Sequence, residues 1–193
     1  MKKLLCIIMS ISILLMAGCS SPSEPVTTVP FDYETTTAGD LMGTVEGGRY
    51  ISHAAGVAYN FSGEYDITWP DTSNKDMTLS EYPDSKISGP VIVWDNRENI
   101  IINYIINDAI KKEELNEETL AHMDSQSKYD IISSEIVDYK IGDNTYPAIK
   151  TQTDDVVALQ IYVFKDNGLL ILITIGAKSF QSADNIAKNI QLA

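Results

Sequence analysis

Two short polar turns in the last third of the chain constrain its fold more than any other feature. Gly142-Asp143-Asn144 separates residues 131–140 from 145–153, and Asp166-Asn167-Gly168 separates 156–165 from 169–176. Asp, Asn and Gly accept the backbone angles of a tight hairpin, and the flanking runs are of strand length and rich in Val, Ile and Tyr. Two hairpins in succession commit the chain to an antiparallel sheet, which needs cover on at least one side.

The strand patterns show which side. Along 156–165, Val157, Leu159, Ile161 and Val163 alternate with Val156, Ala158, Gln160, Tyr162 and Phe164. Along 169–176, Leu169, Ile171, Ile173 and Ile175 alternate with Leu170, Leu172, Thr174 and Gly176. The earlier run 99–107 behaves alike, with Ile100, Ile102, Tyr104 and Ile106 set against Asn99, Ile101, Asn103, Ile105 and Asn107. Side chains alternate across a strand, so each run has one apolar face and one mixed face. The apolar faces are expected to form a core beneath helices. The mixed face, with Asn103, Gln160, Tyr162 and Thr174, is the candidate binding surface; the alternative is that a second helix covers it and its polar groups pair there.

The remaining segments complete the expected architecture. Val57, Tyr59 and Phe61, then Tyr65, Ile67 and Trp69 beyond Ser62-Gly63, predict a strand, a turn and a strand that Pro70 stops. Residues 71–90 are polar and turn-rich, which predicts a loop. Asn116 is placed to cap a helix whose first turn holds Glu117 and Glu118, with Leu120 and Met123 facing inward. A closing helix is expected from about Phe180, with Ala183, Ile186, Ala187 and Ile190 at helical spacing. The predicted class is α+β: an antiparallel sheet packed with helices, spanning 49–193 as a single domain.

The first residues bear on the address. Lys2 and Lys3 precede an uncharged apolar run over 4–16, then Ala17, Gly18 and Cys19. A positive start, an apolar stretch shorter than a membrane span and small residues before a cut site describe an export signal over 1–18. Met16-Ala17-Gly18-Cys19 resembles the lipobox of bacterial lipoproteins, with Met in place of the usual first Leu. The resemblance implies that Cys19 carries fatty chains after the signal is removed and holds the protein on the extracytoplasmic face of the cell membrane. Two or three chains give a stable anchor where one is marginal. Cys6 and Cys19 are the only cysteines, so that reading leaves the mature domain without a thiol, a disulfide or a Cys-based metal site. Residues 19–48, rich in Ser, Thr, Pro and Gly, are expected to form a flexible tether, unless Phe31, Tyr33, Leu41 and Met42 dock on the domain.

From 49 to 193 the order of elements also resembles the PsbP/Mog1-like α/β sandwich. The likeness rests on Tyr65-Asp66-Ile67-Thr68-Trp69-Pro70 and on the late apolar strand leading to a helix that ends Ile190-Gln191-Leu192. It implies an accessory or binding protein, in a family with many lipoproteins and no shared catalytic residues.

Composition excludes one partner class and leaves others open. The formal net charge of −13 repels phosphate backbones, so nucleic acid is not an expected partner. The two histidines, His53 and His122, sit in no nucleophile or metal motif, and no catalytic residue, metal ligand or cofactor is assigned. Asp71, Ser73 and Asp76 lack the glycine and closing glutamate of a calcium loop, and Glu113, Glu114, Glu117 and Glu118 read as a solvated face. Three functions follow: a non-enzymatic accessory or binding module with an envelope protein or small ligand as partner; an extracytoplasmic hydrolase or metal-dependent enzyme built from scattered residues; or a carbohydrate-binding surface using Trp69 or Trp94.

Overall fold

The computed structural model describes residues 25–70, 73–95, 98–106 and 111–193. The export signal and Cys19 lie outside them, as does Asp71. The last third folds as its turns demand: β7 (Ile131–Ile141) pairs with β8 (Asn144–Thr153), β8 with β9 (Val157–Phe164), and β9 with β10 (Leu170–Ala177), all antiparallel. β10 also pairs with β6 (Glu98–Ile105), which continues to β5 (Lys86–Asp95) and the short β4 (Asp66–Thr68). The result is a seven-stranded antiparallel sheet in the order β4-β5-β6-β10-β9-β8-β7. β5 starts inside the segment expected to be loop; Gly89 and Pro90 fall at a register shift, the place in a sheet where Pro's missing N–H is tolerated.

The inner face of this sheet is the predicted apolar one. Ile100, Ile102, Tyr104, Leu159, Ile161, Ile171, Ile173 and Ile175 are fully buried there. Its cover is not mainly helical. A second sheet, β1 (Thr44–Glu46), β2 (Arg49–Ser52), β3 (Val57–Asn60) and β11 (Ile190–Leu192), contributes Tyr50, Val57, Tyr59 and Ile190 to the same core. Beside it pack the five-residue α1 (Ala38–Met42) and α3 (Phe180–Ala187), whose Ala183, Ile186 and Ala187 are buried. The class is α+β, with most of the structure in two antiparallel sheets and few helical residues.

Three expectations are corrected. Residues 57–61 and 65–69 do not form one hairpin: β3 pairs with β2 and β11, whereas β4 pairs with β5 in the other sheet. Alternation reports that a strand has two faces but says nothing about its partner. The closing helix stops at Ala187, and Ile190–Leu192 form a strand on the open edge of β3. Ile190 is buried in either conformation, so apolar spacing did not separate the two. Residues 38–48 are part of the fold, not a flexible tether. Thr37 caps α1 with a capping box, Ala38 and Leu41 are fully buried, Met42 nearly so, and β1 lies on the edge of the small sheet. Gly43 ends α1 at φ +71°, where a Cβ would meet the Ile51 carbonyl oxygen at 2.3 Å, so only glycine fits that turn.

Candidate functional site

The predicted mixed face is the outer face of the large sheet, and its four named residues are neighbours. Leu172 on β10 stands between Asn103 on β6 and Tyr162 on β9; one layer along, Thr174 stands between Ile101 and Gln160. Cover divides them. The chain leaving β6 must cross three strands to reach β7 at the far edge, about 19 Å at ordinary strand spacing, and it does so over this face. The crossing contains a 3-10 turn, Lys112–Glu114, and α2 (Glu117–Gln126), capped by Asn116, whose Oδ1 accepts from the Thr119 N–H at 3.0 Å.

Leu120 of α2 seats in a cluster with Ile105, Ile149, Tyr162 and Leu170, and Leu115, Ile136, Phe164 and Leu172 pack around it. Tyr162 is thereby buried, and burial pushes its hydroxyl pKa up to about 12; Asn103 is buried as well. Gln160 and Thr174 remain half-buried on the uncovered part of the face. Met123, expected to face inward with Leu120, is 37% exposed; a helix that touches a sheet through one turn buries a narrow stripe only. Of the four candidates, Tyr162 serves the packing under α2, Asn103 is buried, and Gln160 and Thr174 remain available to a ligand.

The uncovered half ends in a cleft of about 530 Å³. Its floor is Asn99 and Gly176, directly opposite each other on β6 and β10. One wall is Lys128, Tyr129 and Asp130, the segment from α2 into β7; the other is the β8–β9 turn, with Thr153, Asp154, Asp155 and Val156. A Cβ at Gly176 would meet the Asn99 amide at 3.0–3.2 Å, so the missing side chain is what lets that amide lie flat across the floor. Tyr129 is 74% exposed and Ile132, two residues into β7, is 57% exposed. A polar floor, a mixed-charge rim and an exposed aromatic ring offer hydrogen-bond donors, acceptors and a stacking surface together. Sequence reasoning placed Asn99 and Gly176 on the right face without singling them out. The available signal was the glycine itself, at the end of a run otherwise made of Ile, Leu and Thr.

The other residues weighed from sequence do not join this site. His53 holds down the entering chain, its Nδ1 donating to the Thr27 carbonyl at 2.8 Å. His122 is on the solvent side of α2 and exposed, as are Glu113, Glu114, Glu117 and Glu118. Ser73 and Asp76 are exposed in the loop before β5. Among the described residues, no three His, Asp or Glu side chains converge in the manner of a metal site. Trp69 is 38% exposed near Tyr50. Trp94 lies in an aromatic patch with Tyr59, Phe61 and Tyr65, and its indole N–H donates to the Ser62 carbonyl at 3.0 Å. Beside Trp94 is a smaller cleft of about 190 Å³ that also takes in Glu98, Ser182, Asn185 and Asn189. The Ser182 hydroxyl donates to Glu98 at 2.6 Å across it. The Tyr59 hydroxyl, also at this cleft, is buried beside Asn189, and burial raises its pKa to about 12 against the opposing effect of a hydrogen bond with Asn189.

No family model matches the sequence, and no curated protein matches it. Several solved chains are similar. One of them is the solution structure of cyanobacterial PsbP (CyanoP) from Synechocystis sp. PCC 6803, with a TM-score of 0.49 and 13% identity over 78% of this chain and 98% of that one. No residue role is carried across at that identity.

Proposed function

We propose that this protein is a lipid-anchored binding module of the extracytoplasmic membrane face, with Cys19 carrying the acyl chains and the half-covered outer face of the large sheet receiving a partner. The observation that carries the binding role is the division of that face. α2 covers one half and leaves Gln160 and Thr174 half-buried on the other, which ends in an open cleft floored by Asn99 and Gly176. The anchor rests on the lipobox-like Met16-Ala17-Gly18-Cys19 after a charged and then apolar start. A non-enzymatic accessory role of the PsbP/Mog1-like kind fits the element order, and its partner is an envelope protein or a small ligand.

Two measurements test this reading. Mass spectrometry of protein recovered from its native cells should find an acylated Cys19 as the first residue; an intact Met1 or a free Cys19 thiol removes the anchor. A photo-crosslinking residue in place of Tyr129 or Gln160, in the anchored protein, should capture one discrete partner and lose it on Gly176→Val. The same capture from a probe at Ser73, remote from the cleft, would remove the binding face.

A second reading has one specific observation behind it. The Trp94 cleft combines an aromatic ring, a carboxylate and two amides, groups that hold a sugar ring. In a Trp69→Phe variant, which leaves Trp94 as the sole tryptophan, quenching by mono- and oligosaccharides supports it and unchanged fluorescence dismisses it.

A further inference from the structure

The Gly176 cleft and the segment that enters the fold at Pro25 and Val26 lie toward opposite ends of β8. Val26 is 7% exposed and packs on Ile51 and Ala58, on the face of the small sheet turned away from the core. The next residues are pinned as well: Thr27 by His53, and Val29, whose N–H donates to the His53 carbonyl at 3.2 Å. Pro25 sits between the β1–β2 turn, with Glu46 and Gly47, and the β7–β8 turn, with Asp143 and Asn144. The chain is therefore fixed to the domain from Val26 onward, and seven peptide links separate Val26 from Cys19. Seven links reach at most about 25 Å, at 3.3–3.6 Å each. A domain of about 150 residues is roughly 40 Å across, from a radius of gyration near 15 Å. The tether is shorter than the body it holds.

We infer that, on the reading that Cys19 is acylated, the lipid headgroup surface lies against the strap end of the domain, with the β1–β2 and β7–β8 turns, and the Gly176 cleft faces away from the bilayer. The cleft is bounded by the β8–β9 turn, separated from the β7–β8 turn by the ten residues of β8, about 30 Å of extended chain. Glu46 and Asp143 at the strap end do not attract anionic lipid, so the short tether, and not charge, sets this orientation. The cleft then meets partners that stand off the membrane, and lipid-embedded ones are out of its reach.

The test uses the full, acylated protein on phosphatidylcholine vesicles carrying a nitroxide on some headgroups. A fluorophore is placed on Glu46→Cys or on Asp154→Cys, both at exposed positions. The expected result is several-fold stronger quenching at position 46 than at 154, and loss of that difference when a Gly/Ser spacer of about 20 residues is inserted after Ser20. Equal or reversed quenching on protein that floats with the vesicles overturns the orientation and leaves the anchor standing. Protein that does not float overturns the anchor, and the orientation with it.

Discussion

The hydroxyls of Tyr50 and Tyr104 hydrogen-bond to each other across the seam between the two sheets, with both side chains fully buried. The Tyr104 hydroxyl also hydrogen-bonds the Ser52 side chain. Removing the Tyr104 hydroxyl therefore strands that of Tyr50, at a cost of about 1–3 kcal/mol, whereas removing the Tyr50 hydroxyl leaves Tyr104 a partner. Tyr104→Phe is expected to lose stability in that range by urea denaturation, and Tyr50→Phe to lose less. The double variant should lose less than the sum of the two, because no orphan remains.

Alkali should unfold the protein in one step with its tyrosines. Burial raises the pKa of Tyr50 and Tyr104, and holds Tyr59 and Tyr162 at about 12. The folded state therefore prefers the neutral phenol. This contribution is complete below the unfolded value near 10 and is lost as pH rises through the folded values. Tyrosinate absorbance of the native protein should show the buried rings ionising only together with loss of tertiary signal. Uniform titration of all ten tyrosines near pH 10 would contradict the seam.

Leu41 separates a folded segment from a tether. Leu41→Ala is expected to cost about 2–5 kcal/mol by thermal or denaturant unfolding, the range for a fully buried leucine. Gly43→Ala should also destabilise strongly, through its positive φ and the Ile51 carbonyl in its way. A flexible tether would leave both variants at wild-type stability.

The two apolar residues of α2 should behave differently. Leu120→Ala opens the cluster over Tyr162 and Leu170 and is expected to cost about 2 kcal/mol or more. Met123→Ala should stay within about 0.5 kcal/mol of wild type, because Met123 is 37% exposed and lies outside that cluster. Equal losses would mean that α2 lies flatter on the sheet.

The parts of the fold that were legible from the chain are those where local chemistry decides the outcome. Gly142-Asp143-Asn144 and Asp166-Asn167-Gly168 dictate their hairpins, and the alternation around Ile173 dictates which face is core. The small sheet was not legible, because its pairing is non-local: Tyr59 meets Ile190, and nothing near either residue announces the other. The same holds for the candidate site. Gln160 and Thr174 were found by face, but their accessibility depends on how far α2 reaches across the sheet. Asn99 and Gly176 matter only because β6 and β10 lie side by side, and the hydrophobic pattern alone does not state that adjacency.

The pairing of Ile190–Leu192 with Val57–Asn60 makes the two ends of the domain mutually dependent. A ribosome or an export channel that has released everything up to Asn189 has still not supplied the strand that closes the first sheet. The first sheet must therefore wait for Ile190–Leu192 to emerge before it is complete. Fragments cut anywhere between the two strands cannot be expected to fold alone, and a protease that trims a handful of residues from the carboxyl end would bare the backbone edge of β3, an open template for aggregation.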